Sequence, residues 1–341
     1  MTEKRNTEID LLRFLAALTV LLYHYTYAFR QSDPAFPYTY RFSSLTKYGY
    51  LAVDLFFIIS GYVLAISARG KTLPQFVQSR VFRLYPAYWV ACILSFVLIR
   101  VSAGYIAAAP HVSFVQLGYN LTMFQEFFGK APVNPVFWSL TYELSFYLLV
   151  AVVIVTRAWD RLLTILALWL IYTFAVGPLA TGNYLAFVLI PKYSTHFVAG
   201  MLFYMLRYKL ASVWKICGLL AVCYALTLRS AAAMGHVMEG LYKDGFSVWV
   251  IWGIITFFYL LFFWIAQAKP DFSRFRLFTF LGSLSYPLYL VHLMGGALFY
   301  AAGGRINKYV MLVGVTLVML GMSWGIERVE KGVLRKRARV T

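Results

Sequence analysis

Charged residues are scarce in this sequence of 341 residues. They make up 13% of it, whereas apolar residues make up 61%, and a soluble domain averages about 25% charged residues. The composition therefore excludes an ordinary soluble domain and predicts a membrane protein. At about 20 residues for each spanning helix, with short loops between them, the length allows roughly ten spans.

The signatures of several site types are missing too. The cysteines are only three, Cys92, Cys217 and Cys223, and all lie in apolar runs, which argues against a disulfide framework. No His, Cys or carboxylate residues have the close spacing of metal ligands, so no metal is predicted. His196 is expected in or near an outer loop. The sequence has no Walker loop or dinucleotide glycine pattern, which argues against ATP hydrolysis and Rossmann-type binding.

Acidic residues are the scarcer of the two signs of charge. There are 13 of them against 31 Lys and Arg, for a net charge of +18. Such a charge is compatible with nucleic-acid binding, but the basic residues cluster in loops beside the apolar runs. Anionic lipid headgroups or a phosphorylated substrate fit that pattern better, and no nucleic-acid partner is predicted.

Apolar runs and the loops between them predict ten spans. They lie near 9–29, 51–68, 88–105, 137–156, 162–177, 194–206, 212–228, 246–266, 278–300 and 309–327. Polar groups interrupt a further segment near 113–128, which predicts an interfacial helix. With the N-terminus inside, about two thirds of Lys and Arg fall on the cytoplasmic side. The predicted fold is all-α, a polytopic membrane helix bundle of about ten transmembrane helices with both termini cytoplasmic.

The first span carries a polar stripe. Arg13 and His24 are eleven residues apart, or roughly three helical turns, so their side chains point the same way, and Asp10 shares that face. Such a stripe must face protein or water rather than lipid. An imidazole titrates near neutrality and suits proton removal from a hydroxyl, which makes His24 a candidate base. The alternative is a buried imidazole bonded to a neighbouring hydroxyl.

Two acidic candidates lie within the second and fourth spans. Asp54, just inside the second span, is a candidate acceptor for a cation or a substrate hydroxyl, or else a polar anchor at the interface. Glu143, in the fourth span, lies at a depth comparable to that of His24, and a buried carboxylate needs a partner. We predict that His24 is that partner. The alternative is a carboxyl group satisfied by Tyr or Ser hydroxyls.

Basic and polar residues supply further candidates. The loop after the second span holds Arg69, Arg80 and Arg83, which predict either a phosphate-binding site or contacts with lipid headgroups. In the ninth span His292 is expected to line the same cavity as His24. A structural role is favoured for it over a catalytic one. The candidates for substrate contact or structural roles are Asp54, Ser139, Tyr142, Tyr286 and His292.

Several segments together resemble the acyltransferase family 3 membrane proteins. They are the Arg13 to His24 pattern, VDLFFIISGY (53–62), RVFRLYPAYW (80–89), FWSLTYELSFYLL (137–149), SLSYPLYLVH (283–292) and the region of Glu327. The resemblance covers nearly the whole chain and implies one transmembrane acyltransferase domain over residues 1–341. It also implies an enzyme of the cell inner membrane. Many relatives carry a C-terminal SGNH domain, for which the sequence leaves no room.

The resemblance implies transfer of an acyl group, usually acetyl from acetyl-CoA, to a hydroxyl of a cell-surface or lipid-linked glycan such as an exopolysaccharide or lipopolysaccharide. The family's essential Arg and His fall on Arg13 and His24, and its fourth-span acid on Glu143. The expected ligands of the CoA phosphates are Arg69, Arg80 and Arg83. His24 is then expected to take the hydroxyl proton while Glu143 orients the imidazolium, or else to become acylated itself.

The expected partners follow from that reaction. They are the acyl-CoA donor, the glycan or lipid-linked saccharide acceptor, and membrane lipids, with no permanently bound cofactor. The alternative function is a transporter or flippase of a glycan or of an acylated small molecule, which would also line a path with charges. Transporters often show repeated halves and paired broken helices, and neither pattern is visible in the sequence.

Overall fold

The structure is a computed structural model that describes residues 6–102, 112–179, 184–268 and 270–337. These ranges form helices and contain no β-strand. The α-helices are α1 (Thr7–Tyr23), α2 (Phe29–Ser32), α3 (Ser43–Thr46), α4 (Ala52–Ala68), α5 (Leu73–Ser102), α6 (Phe114–Leu121), α7 (Trp138–Val155), α8 (Leu162–Val176), α9 (Tyr184–Leu189), α10 (Ser194–Arg207), α11 (Val213–Tyr242), α12 (Val248–Ala268), α13 (Arg276–Val291), α14 (Gly295–Ala302) and α15 (Lys308–Arg337). A π-helical turn covers His24–Ala28, and 3-10 turns cover Lys47–Leu51, Gln125–Phe128, Pro135–Phe137, Ala158–Arg161 and His292–Met294.

Ten stretches of the described chain are long and apolar enough to cross a membrane. They are Thr7–Ser32, Ser43–Ala68, Leu73–Val101, Pro135–Val155, Ala158–Val176, Tyr184–Arg207, Val213–Tyr242, Val248–Ala268, Arg276–Ala302 and Lys308–Leu334. The number agrees with the sequence, and the all-helical, multi-pass membrane architecture is confirmed. That both termini are cytoplasmic stays a prediction.

The expectation that Arg80 and Arg83 lie in a loop was wrong. Both are on α5, which begins at Leu73, well before the span that the apolar run predicted. Buried residues continue the helical spacing through this basic segment, among them Phe76, Leu84 and Ala87. The segment is therefore an amphipathic extension of the span rather than a loop.

The described chain divides into two compact units. The first falls within Met1–Tyr50, Gln78–Thr141 and Phe272–Thr341, and the second within Leu51–Val77 and Tyr142–Asp271. Each has its own pair of closely packed helices, which positions the residues of interest.

In the first unit α1 packs against α13. A Cβ added to Gly282 would lie 2.8 Å from the Cα of Asp10, so the two backbones approach closely near the start of both helices. Further along, a ring nitrogen of His24 lies 3.2 Å from one of His292. The contacts follow the same order in both helices, so α1 and α13 run parallel.

In the second unit α4 packs against α10. A Cβ added to Gly61 would lie 2.9 Å from the carbonyl carbon of Phe197, so this glycine allows the backbone of α10 to come near. A Cβ added to Gly200 would lie 2.9 Å from the Cα of Gly61. Asp54, two turns before Gly61, contacts His196, one turn before Gly200. These helices therefore also run parallel, with small residues at the point of closest approach.

Candidate active site

The polar stripe of α1 faces protein. Asp10, Ala17 and Leu21 are at most 5% exposed, and Arg13 is half-buried, whereas Leu15 on the opposite face is 45% exposed. Regular α-helix continues from Thr7 to Tyr23, so the spacing rule on which the stripe was predicted applies up to His24. The predicted orientation of the stripe is confirmed.

His24 forms a histidine pair with His292 of the ninth span. The Nδ1 atom of His24 lies 2.9 Å from the carbonyl oxygen of Val20 and 3.2 Å from Nε2 of His292. The Nδ1 atom of His292 lies 2.8 Å from the carbonyl oxygen of Tyr289. Tyr25 donates a hydrogen bond of 2.6 Å to the carbonyl oxygen of His292. The pair sits where α1 passes into its π-helical turn, a feature frequent at functional sites.

A buried hydroxyl pair lies one turn before His292. The Ser139 and Tyr289 hydroxyl oxygens are 2.7 Å apart, and each is also within hydrogen-bond distance of the Val136 carbonyl oxygen, at 3.1 and 3.2 Å. One hydroxyl therefore donates to the other, which donates to the carbonyl. Ser139 and His292 are both tied to Tyr289, one through its hydroxyl and the other through its backbone.

The remaining candidates of the first unit lie on α5 and α13. Arg80 is half-buried and donates from Nε to the Ser79 hydroxyl at 3.3 Å. Arg83 is exposed and lies near enough to Glu330 for their charges to interact. The Tyr286 hydroxyl donates to the Leu84 carbonyl oxygen at 3.3 Å, which ties α13 to α5.

The second unit holds Glu143 among hydroxyl groups. Its Oε1 accepts hydrogen bonds from the Tyr147 hydroxyl at 2.5 Å and from the Ser60 hydroxyl at 3.2 Å. The hydroxyl partners of the alternative interpretation are therefore present. Glu143 and His24 belong to different units, and their pairing stays a prediction. Tyr142 packs edge-on against Tyr193, with ring centroids 4.9 Å apart.

The second unit also contains a buried pair that the sequence did not reveal. Asp54 and His196 are 7% and 1% exposed, and Oδ1 of Asp54 lies 3.6 Å from Nε2 of His196. His196 is the third residue of α10, next to the turn at 191–193, and the helix buries it. The positive charge of Lys192 also acts on Asp54.

Arg69 is exposed at the end of α4, in the second unit, whereas the other two basic candidates are in the first. Among the residues described, no three His, Cys, Asp or Glu side chains lie together as metal ligands would.

A family model matches most of this chain, and individual known proteins match less than half of it. The model of acyltransferase family 3, described as an acyltransferase domain, matches residues 6–328. Nodulation protein 10 of Rhizobium leguminosarum bv. viciae is 28% identical over 169 residues, which are 45% of this chain and 45% of that protein. O-acetyltransferase OatA of Staphylococcus aureus is 29% identical over 164 residues, 43% of this chain and 24% of that protein.

A third relative is the acyltransferase MdmB of Streptomyces mycarofaciens, which is 31% identical over 146 residues, 40% of this chain and 36% of that protein. The chain thus spans less than half the length of each of these relatives. No solved structure matches it. Because the family model covers nearly all of the sequence, the chain belongs to acyltransferase family 3.

Proposed function

We propose that the protein is a membrane-bound O-acyltransferase. It moves an acyl group, acetyl in the first instance, from cytoplasmic acyl-CoA to a hydroxyl of a cell-surface or lipid-linked glycan. Family membership supports acyl transfer, and two of the relatives carry acyltransferase names. The observation that carries the proposal is His24, which is bonded through Nδ1 and has no hydrogen-bond partner for Nε2 among the described residues.

The reaction assigned to His24 is general base catalysis. The acceptor hydroxyl gives its proton to Nε2 of His24 as its oxygen attacks the thioester carbonyl. The carbon–sulfur bond then breaks, and the CoA thiolate takes the proton from the imidazolium to leave as free CoA. The half-buried position of the ring supports this role, because substrate can reach it while the surrounding protein holds it in place.

The donor is proposed to be held by arginines. Arg80 and Arg83 are one helical turn apart on α5, so both guanidinium groups can contact one CoA phosphate region. A guanidinium fork matches phosphate oxygens in bidentate fashion. Arg13, which is half-buried on the polar stripe, is proposed to guide the donor towards His24, and Arg69 to contribute a further phosphate contact.

The acceptor side is proposed from the resemblance and from the acidic residues. A glycan presents many hydroxyls, and carboxylates are suited to bind them. Glu143, held by two hydroxyl groups, is proposed to orient the His24 imidazolium, and Asp54 to contact the acceptor. Such an enzyme belongs in the cell inner membrane, where cytoplasmic acyl-CoA and exported glycans are both within reach.

The experiment uses the purified full chain in liposomes with radiolabelled acetyl-CoA and a glycan fraction. We expect label to move to the glycan with wild-type protein. His24→Ala should lower the rate by at least about 100-fold, because a positioned base contributes roughly 10²–10⁴. The matched control is His236→Ala, since that side chain is exposed on α11 and, among the residues that the structure describes, is bonded only to nearby Glu239.

Two outcomes contradict the proposal. Full activity of folded His24→Ala protein in the same liposomes would reject the base role. Glycan that crosses the vesicle membrane without acquiring label would favour a transporter instead.

A further inference from the structure

We infer that His292 is a positioning residue that keeps the proton of neutral His24 on Nδ1. The lone pair of the His24 ring then lies on Nε2, the atom that faces no described hydrogen-bond partner. The effect of this proton position on catalysis rests on the proposed function. The protonation of His24 on Nδ1 does not.

The first step fixes the proton of His292. Its Nδ1 lies 2.8 Å from the carbonyl oxygen of Tyr289, and a carbonyl oxygen only accepts hydrogen bonds, so Nδ1 carries a proton. The ring is fully buried, and no carboxylate in the described ranges is bonded to it. A buried charge without a partner is costly, so the ring is neutral and its Nε2 is an acceptor.

The second step fixes the proton of His24. Its Nδ1 has two neighbours, Nε2 of His292 at 3.2 Å and the carbonyl oxygen of Val20 at 2.9 Å. Both are acceptors, so Nδ1 must be the donor and shares its hydrogen between them. A neutral imidazole has one N–H, and Nε2 of His24 is therefore unprotonated.

His292 matters because the other acceptor is shared with a backbone donor. The backbone N–H of His24 itself donates to the carbonyl oxygens of Val20 and Leu21. The Val20 oxygen thus serves the helix as well as the ring, whereas Nε2 of His292 has no other donor among the described residues. Removing the His292 ring would leave the shared Val20 oxygen as the one described acceptor for the proton on Nδ1.

The His292 ring is itself held in place. Its backbone carbonyl accepts the hydrogen bond from Tyr25, one residue after His24, and its own Nδ1 is bonded within its turn. Gly295 leaves room for that tyrosine, since a Cβ there would lie 2.7 Å from the tyrosine Cζ. Both imidazoles are therefore positioned by contacts between α1 and the end of α13.

The arrangement also favours the charged form during the reaction. When Nε2 of His24 takes the hydroxyl proton, the Nδ1–H bond to His292 becomes charge-assisted and stronger. Loss of one such bond lowers kcat by roughly 10- to 100-fold. The KM for acyl-CoA should be unchanged, because His292 contacts the base and not the donor.

The decisive measurement is nitrogen NMR of the full chain in lipid nanodiscs, with ¹⁵N-labelled histidine. The protein has five histidines, and the His24→Gln spectrum identifies the signals of His24. We expect wild-type His24 to show a protonated Nδ1 and an unprotonated Nε2. His292→Ala should give a mixture of both tautomers and the fall in kcat.

Two further variants separate positioning from folding. His292→Gln keeps an acceptor near the place of Nε2 and should restore the tautomer and most of kcat. Tyr25→Phe removes a hydrogen bond from the same turn, so it should lower thermal stability but leave the His24 tautomer unchanged.

A protonated Nε2 in wild-type His24 would overturn the inference, and so would unchanged His24 signals in folded His292→Ala. His292→Gln that is folded but no better than His292→Ala would also contradict the acceptor role. Because the spectra need no acyl transfer, a failed acetylation assay would count against the proposed function alone.

Discussion

Replacing Gly200 with alanine should force α4 and α10 apart. A Cβ at position 200 would lie 2.6 Å from the backbone nitrogen of Tyr62 and 2.9 Å from the Cα of Gly61. Both atoms belong to a helix backbone and cannot turn away as the end of a flexible side chain could. To bring the Tyr62 nitrogen to ordinary contact at about 3.4 Å, the two helices must separate by roughly 0.8 Å at this point, and the Ile58 carbonyl oxygen, which is nearer still to the added Cβ, requires more.

The cost follows from the rigidity of the contact. Overpacking a well-packed interior costs about 1–3 kcal/mol, and a clash between two backbones belongs at the upper end. For a unit of this size, about 3 kcal/mol corresponds to a fall in the thermal midpoint of roughly 6–12 °C. Asp54 and His196 face each other across the same two helices, so their separation of 3.6 Å should increase as well.

The assay is thermal unfolding of the purified protein in detergent, followed by the loss of the monodisperse peak in size-exclusion chromatography. Gly218→Ala on α11 is the matched control, because nothing lies within 4 Å of the added Cβ. It should be neutral or stabilising by up to about 1 kcal/mol, as expected for Gly to Ala in a helix. A Gly200→Ala protein that unfolds together with the wild type would refute the close approach.

Three further substitutions test hydrogen bonds. Tyr147→Phe removes the 2.5 Å hydrogen bond to Glu143 and should lower the free energy of unfolding by about 1–2 kcal/mol. Ser60→Ala should lower it less, because its hydrogen bond to Glu143 is 3.2 Å long. Chemical unfolding that ranks the two variants the other way contradicts this. The Tyr300 hydroxyl bonded to Asp33 holds the pKa of that carboxyl below its ordinary value. This contact stabilises the fold above a pH of about 4 and is lost as pH falls through the lowered pKa. Tyr300→Phe should raise the pKa of Asp33, and an unchanged carboxyl titration by NMR would show that the bond has no such effect.

The sequence predicted the number of spans because lipid requires about 20 apolar residues for each crossing. It predicted the ends of the helices less well. Hydropathy falls at Arg80 and Arg83, yet α5 begins before them at Leu73, because an amphipathic turn remains helical without being apolar throughout. In the same way α11 continues past Arg229 to Tyr242.

The candidate site could be predicted within one helix but not between helices. The spacing of Arg13 and His24 fixes their common face, because α-helical geometry is constant. The sequence predicted that His292 lines the same cavity as His24 but not that the two rings are in contact. Nothing in it indicates that His196 lies beside Asp54, since periodicity gives the direction of a side chain and not its neighbours. Glu143 was the expected partner of His24 because it was the nearest match in depth.

The parallel course of two helix pairs limits how the chain can be threaded through the bilayer. Helices that cross in the same direction must be separated by an odd number of crossings. Seven stretches lie between the first and the ninth, which contain α1 and α13, and three lie between the second and the sixth, which contain α4 and α10. Each helix pair therefore tests the number of crossings between its two members. A single crossing gained or lost between them would make that pair antiparallel. Asp10 and Gly282 consequently share one leaflet whichever way the protein is inserted.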